Sequence, residues 1–167
     1  KSQSDALDHA ELQPLDLVSF TKKVTSIMLP AADLKHIDLG YEGSEAAIYI
    51  MADEARLYDL IHNLIDNAIK YSPEGSPIDI TVDGGVIRVR DHGPGIKDID
   101  LPHIFERFYR VDPARSRQTG GTGLGLSIVK HVAAKHGGDV KVWSAENVGS
   151  TFTLMLPEYS GSLGDKE

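Results

Sequence analysis

A chain of 167 residues, 41% of them hydrophobic, is long enough for one well-buried core. Acidic residues outnumber basic ones 25 to 17, and the net charge of -8 speaks against a general nucleic-acid binder; with no cysteine there is neither a disulfide framework nor a thiolate metal site. No apolar run approaches the ~20 residues needed to cross a bilayer, and Lys1 to Gln13 lacks the apolar centre of a signal peptide.

Lys1 to Gln13 is polar and reads as a linker or a frayed helix end. Asp16 is placed to cap a helix whose buried stripe is Leu17, Phe20, Val24, Ile27 and Met28, with Pro30 expected to kink or end it. Ile37 to Tyr41 and Ala46 to Met51 read as two strands joined through Glu42-Gly43-Ser44. Asp53 opens the strongest helix, in which Leu57, Leu60, Ile61, Leu64, Ile65, Ala68 and Ile69 form a wide apolar stripe before Ser72-Pro73-Glu74-Gly75 stops it. Ile78 to Val82 and Val86 to Val89 alternate as a hairpin about Asp83-Gly84-Gly85. His92 to Gly120 is a long connection of glycine, proline and charge, broken by an apolar-aromatic island at Ile104 to Tyr109; such a segment is usually a functional lid or disordered. Leu124 to Lys135 is helical, Val140 to Ser144 and Thr151 to Leu156 are strands, and the chain after Pro157 is a polar tail. Strands that pair as hairpins between helices favour an α+β fold: a mixed sheet covered on one face.

The run Gly120-Gly121-Thr122-Gly123-Leu124-Gly125 bares the backbone at the mouth of the last helix. Bare N–H groups and the helix dipole suit a phosphate, although a tight turn would use the same glycines. A P-loop is excluded because Leu126 stands where its lysine belongs. A dinucleotide fingerprint is excluded too, since Leu126 replaces the third glycine and no strand leads directly into the run. Asn63, Asn67 and Lys70 share one face of the Asp53 helix, either as a solvated face or as one side of a polar pocket. Asp91, at a strand end before His92-Gly93-Pro94-Gly95, is either a turn residue or an acceptor for an exocyclic amine.

Together these segments resemble the sensor histidine kinases. Asn63 to Tyr71 is similar to their N box, Asp91 to Gly95 to their first glycine box, Ile104 to Arg110 to their F box, and Gly121 to Leu126 to their second glycine box. The resemblance covers about Leu15 to Pro157. It implies an ATP-binding catalytic domain over 15–157, with 1–14 a linker from missing dimerisation helices and 158–167 a tail. The implied fold is a two-layer α/β sandwich: a mixed, mostly antiparallel sheet, about three helices on one face and a long ATP lid.

By position, the resemblance implies that Asp91 takes the adenine amino group and that Asn67 is the Mg2+ ligand. Asn63 stands where ATP-hydrolysing relatives hold a glutamate base, and a neutral amide there suits transfer over hydrolysis. Lys70 and, from the lid, Arg107 and Arg110 are implied phosphate partners, with Asn63, Lys70 and Arg107 the catalytic set. Tyr71, Gly93, Gly95, Ile96, Phe105, Gly121, Thr122, Gly123, Leu124, Gly125 and Leu126 complete the implied nucleotide contacts. None of the seven histidines lies in the family's phosphoacceptor box, and His131 and His136, five apart, do not share a helix face as a metal pair would. The acceptor is therefore expected on a dimerisation domain outside this chain, with a response regulator downstream, no self-phosphorylation, a monomeric fragment, and a parent anchored in the plasma membrane with this part in the cytoplasm. The alternatives are a non-catalytic ATP-binding module and an anti-sigma-type serine kinase of the same fold.

Overall fold

The computed structural model describes residues 12–106 and 124–159. Arg107, Arg110, Gly121, Thr122 and Gly123 lie outside the described residues, and of Leu124 and Gly125 the helical backbone alone is described.

Among the described residues, seven strands and three α-helices are arranged in two layers. A five-stranded sheet runs in the order β2 (Asp38–Gly43), β4 (Pro77–Asp83), β5 (Val86–Asp91), β7 (Gly149–Met155), β6 (Asp139–Ala145). β2 and β4 are parallel and every other neighbouring pair is antiparallel. Helices α1 (Leu17–Asp33), α2 (Glu54–Tyr71) and α3 (Leu124–Lys135) lie side by side, α2 in the middle, packed on β2 and β4, on β5, and on β6 respectively. The α+β sandwich with three helices is thus the observed architecture.

The stripe predicted for α2 is the set that folding buries: Leu57, Leu60, Ile61, Leu64, Ile65, Ala68 and Ile69. It packs on the inward residues of the sheet, Ile78, Ile80, Val82, Ile87, Val89, Val140, Phe152 and Leu154. On β5 the alternation runs Ile87, Val89, Asp91 inward and Arg88, Arg90 outward. Period two therefore turns a carboxylate toward the helix layer.

Four expectations are corrected. The strands expected at 37–41 and 46–51 do not pair with each other: β2 adds in parallel to β4, while β3 (Tyr49–Ala52) pairs with an unforeseen strand, β1 (Gln13–Asp16). Alternation fixes which face a strand buries but not which strand lies beside it. Gln13 thereby belongs to the fold and not to a linker. Pro30 does not end α1, which runs on to Asp33; the carbonyl it leaves without a helical partner is that of exposed Ser26, which water can satisfy. Ile27 stands at the rim of the α1 stripe and is 47% exposed, so the inward positions are instead filled by Thr21 and Thr25 beside Leu17, Phe20, Val24 and Met28.

Leu64→Ala, at a fully buried position, is expected to cost about 2–5 kcal/mol, whereas Ile27→Ala should cost less than about 0.5 kcal/mol. Urea unfolding midpoints at constant slope measure both.

Candidate functional site

α2 is held at both ends. Its N-cap Asp53 accepts from the Arg56 N–H at 3.3 Å. The Asp53 N–H in turn donates to His136 Nε2 at 3.1 Å, while His136 Nδ1 faces the Val132 carbonyl at 2.9 Å. These partners require the Nδ1–H tautomer, and they fasten the end of α3 to the start of α2. At the other terminus Lys35 Nζ donates to the carbonyls of Ile69 at 2.8 Å and Lys70 at 3.2 Å, a cation where the helix dipole is negative. The side of α2 away from the buried stripe is thereby fixed in position. It carries Asn63, Asn67, Lys70 and Tyr71, all half-buried. Lys70 forms an ion pair with Asp66 at 3.2 Å, one turn back, which the sequence reading did not foresee. A partly exposed pair of this kind is worth about 0.5 kcal/mol at most, so the ammonium is cheaply redirected.

Asp91 is 7% exposed. Its Oδ1 accepts from the Gly93 N–H at 2.9 Å and from the Ser150 N–H at 3.2 Å. Both bonds end on one oxygen, and Oδ2 has no hydrogen-bond partner among the described residues. Burial pushes this carboxyl above the ordinary aspartate range, while the two N–H groups and the nearby His92 pull it part of the way back. A buried acceptor with a free oxygen is what an amine donor requires.

The glycines beside it answer to space and to conformation. A Cβ on Gly93 would stand 2.7 Å from the Tyr71 carbonyl oxygen, so the loop after β5 and the end of α2 touch only because Gly93 has no side chain. Gly95 has φ of 78°, and a Cβ there would collide with the Ala145 carbonyl. Asp91, Gly93 and Tyr71 are thereby brought together at the C-terminal end of α2. Asn67 and Asn63 follow one and two turns back, about 5.4 Å per turn along the helix. Ile96, Phe105 and Leu126 are half-buried against the core. The Phe105 ring meets Phe152 edge-on, centroids 6.2 Å apart, under Lys130 Nζ at 5.1 Å. Phe105 therefore tethers the connection after β5 to the sheet and to α3.

The polar groups suit a magnesium nucleotide. Asn67 offers a single neutral oxygen donor, enough for an ion whose other ligands come from phosphates and water. Among the described residues no group of three His, Cys, Asp or Glu could hold a metal by itself. Sequence reasoning missed Lys35, His136, Ser144 and Ser150, which act on the site through backbone groups distant in sequence. Their only sequence signal was polar type at positions that turned out to be wholly or partly buried.

The histidine kinase-, DNA gyrase B-, and HSP90-like ATPase family model matches residues 52–160. The chain is 46% identical over 153 residues to the sensor-like histidine kinase SenX3 of Mycolicibacterium smegmatis, covering 89% of this chain and 40% of that protein. It is 46% identical over 149 residues to the sensor histidine kinase RppB of Synechocystis, covering 87% and 32%. The chain thus spans well under half the length of these relatives. Among solved structures, the catalytic domain of histidine kinase ThkA superposes with a TM-score of 0.76 at 28% identity over 89% of this chain and 96% of that one. Full-length ShkA in complex with AMPPNP superposes at 0.73 with 34% identity, over 88% of this chain and 31% of ShkA.

The raised Asp91 pKa has a signed consequence. Over the window between the ordinary aspartate value and the raised folded value, the native state holds a proton that the unfolded chain has released, so stability falls as pH rises through that window. Asp91→Asn should remove this slope. Thermal melts across pH should show the Tm difference moving in favour of the variant as pH rises.

Proposed function

Because the chain belongs to the histidine kinase-, DNA gyrase B-, and HSP90-like ATPase family, we propose that it binds Mg-ATP against α2 and transfers the γ-phosphoryl group to a histidine on a separate dimerisation and phosphoacceptor domain. The observation that carries the reading is Asp91, a buried carboxylate with one oxygen satisfied by Gly93 and Ser150 and the other without a hydrogen-bond partner among the described residues. Adenine presents an amine donor to such an acceptor and guanine presents a carbonyl at the same ring position, so this end of the pocket selects the base.

From there the triphosphate follows α2 toward the start of α3. Asn67 is the residue that holds Mg2+, and the ion supplies charge neutralisation of the phosphates when bound. Lys70, released from Asp66, turns to the phosphates, joined by Arg107 and Arg110. By their place in the second glycine box, Gly121, Gly123 and Gly125 are the residues whose N–H groups would bind the same anion. Asn63 cannot deprotonate water at neutral pH, which favours delivery to a side chain over hydrolysis. Tyr71 and Ile96 border the base. Asn63, Lys70 and Arg107 act by positioning and by charge, the two terms that dominate phosphoryl transfer.

The acceptor histidine, the response regulator it serves and the membrane anchorage of the parent belong to the same proposal. The names of the relatives at 46% identity favour histidine over serine as acceptor, and ShkA with AMPPNP supports an adenine nucleotide.

Incubating the chain with Mg-ATP and the parent's dimerisation domain should yield acid-labile, alkali-stable phosphohistidine on that domain. Binding without transfer would instead support an ATP-dependent interaction module, and acid-stable phosphoserine on a partner would support the serine kinase reading. In calorimetry, Asp91→Asn should weaken ADP about 10- to 100-fold, the loss of a charge-assisted hydrogen bond. Equal affinity would contradict the role given to Asp91.

A further inference from the structure

We propose that Ser144, on β6, is the positioning residue that sets the base end of the pocket by holding the Gly93–Ile96 loop to the β6–β7 turn; this rests on the nucleotide reading above. Its Oγ lies 2.7 Å from the Ile96 N–H, 2.9 Å from Ser150 Oγ and 3.2 Å from the Gly149 carbonyl. A hydroxyl has one proton and two lone pairs. Accepting from Ile96 N–H and from the Ser150 hydroxyl while donating to Gly149 uses all three, so the group is fully satisfied in one orientation. Ser144 is then one link from Asp91 by two routes. Through Ser150 it reaches the residue whose N–H donates to Asp91 Oδ1, and through Ile96 it closes the loop whose Gly93 N–H donates to the same oxygen.

The loop has two further ties to that turn, the Asn147 N–H to the Pro94 carbonyl at 2.7 Å and the close packing of Gly95 on the Ala145 carbonyl. Both are backbone contacts. Ser144 is therefore a side chain outside the loop through which substitution can loosen it while leaving Asp91 and the Ile96 core contact intact. The network meets α2 where Gly93 touches Tyr71, whereas Asn67 and Asn63 stand one and two turns farther back, so the effect falls mainly on recognition of the base and less on the phosphate end.

The test compares wild type, Ser144→Ala and Ser144→Thr for ADP and inosine diphosphate, which lacks the amine, by competitive displacement of a fluorescent nucleotide. Exchange of the Ile96 amide is followed by NMR. Ser144→Ala should weaken ADP about 5- to 10-fold, lower the preference for ADP over inosine diphosphate by a similar factor, and speed exchange at Ile96. Ser144→Thr, which keeps the hydroxyl, should stay within about twofold of wild type on each measure. Should the alanine variant fail to fold, Ser144→Cys, whose sulfur accepts poorly, should show the same losses. An unchanged preference in Ser144→Ala, equal loss for both nucleotides, or failure of Ser144→Thr to preserve binding overturns the role of Ser144. Wild type that binds neither nucleotide overturns the nucleotide reading itself.

Discussion

One carboxylate on the wrong side of an apolar alternation organises this molecule. β5 buries Ile87 and Val89 under the helices, and the same period of two then buries Asp91. Removing an ionised group from water is costly unless hydrogen bonds replace the lost hydration. Gly93 and Ser150 replace it on one oxygen, and their reach depends on the loop and the β6–β7 turn folding back over the strand end. The second oxygen has no hydrogen-bond partner among the described residues, and in the proposed function it is the acceptor for the adenine amine. Burial of the carboxylate lowers stability at this point.

The rest of the fold holds α2 in register with that carboxylate. A helix with seven inward apolar residues cannot rotate without exposing them. It cannot easily slide either, since His136 grips its N-cap and Lys35 its last carbonyls. The amides of Asn63 and Asn67 thus stand at fixed heights above the end where Gly93 meets Tyr71. Rigid helices are better platforms for such groups than loops are. The segment expected as a lid joins this platform at Phe105, pinned by Phe152 and Lys130, and at α3, pinned by His136.

Much of this was legible in the residue order because it is local. The α2 stripe, its Asp53 cap, the Gly84-Gly85 hairpin and the extent of α3 all follow from short-range periodicity and turn chemistry. Asp91 could be singled out by its place between a strand and two glycines. Pairing was not legible: nothing in the apolar run before Asp53 tells that β3 meets Gln13–Asp16 and not β2, because either partner buries the same face. The supporting residues were hidden for a related reason. Ser144 and Asp91 are 53 positions apart, Asp53 and His136 83 apart, and no periodicity connects them. Pro30 and Ile27 misled because helix rules assume an interior position, whereas both stand on the solvent side.

A crystal structure of the chain grown with Mg-ADP would test most directly whether these groups form one site. The adenine amine should lie within hydrogen-bond distance of Asp91 Oδ2, with the phosphates running along α2 past Asn67. A nucleotide seated instead in the depression on the uncovered face of the sheet, among Arg88, Arg90 and Trp143, would contradict it.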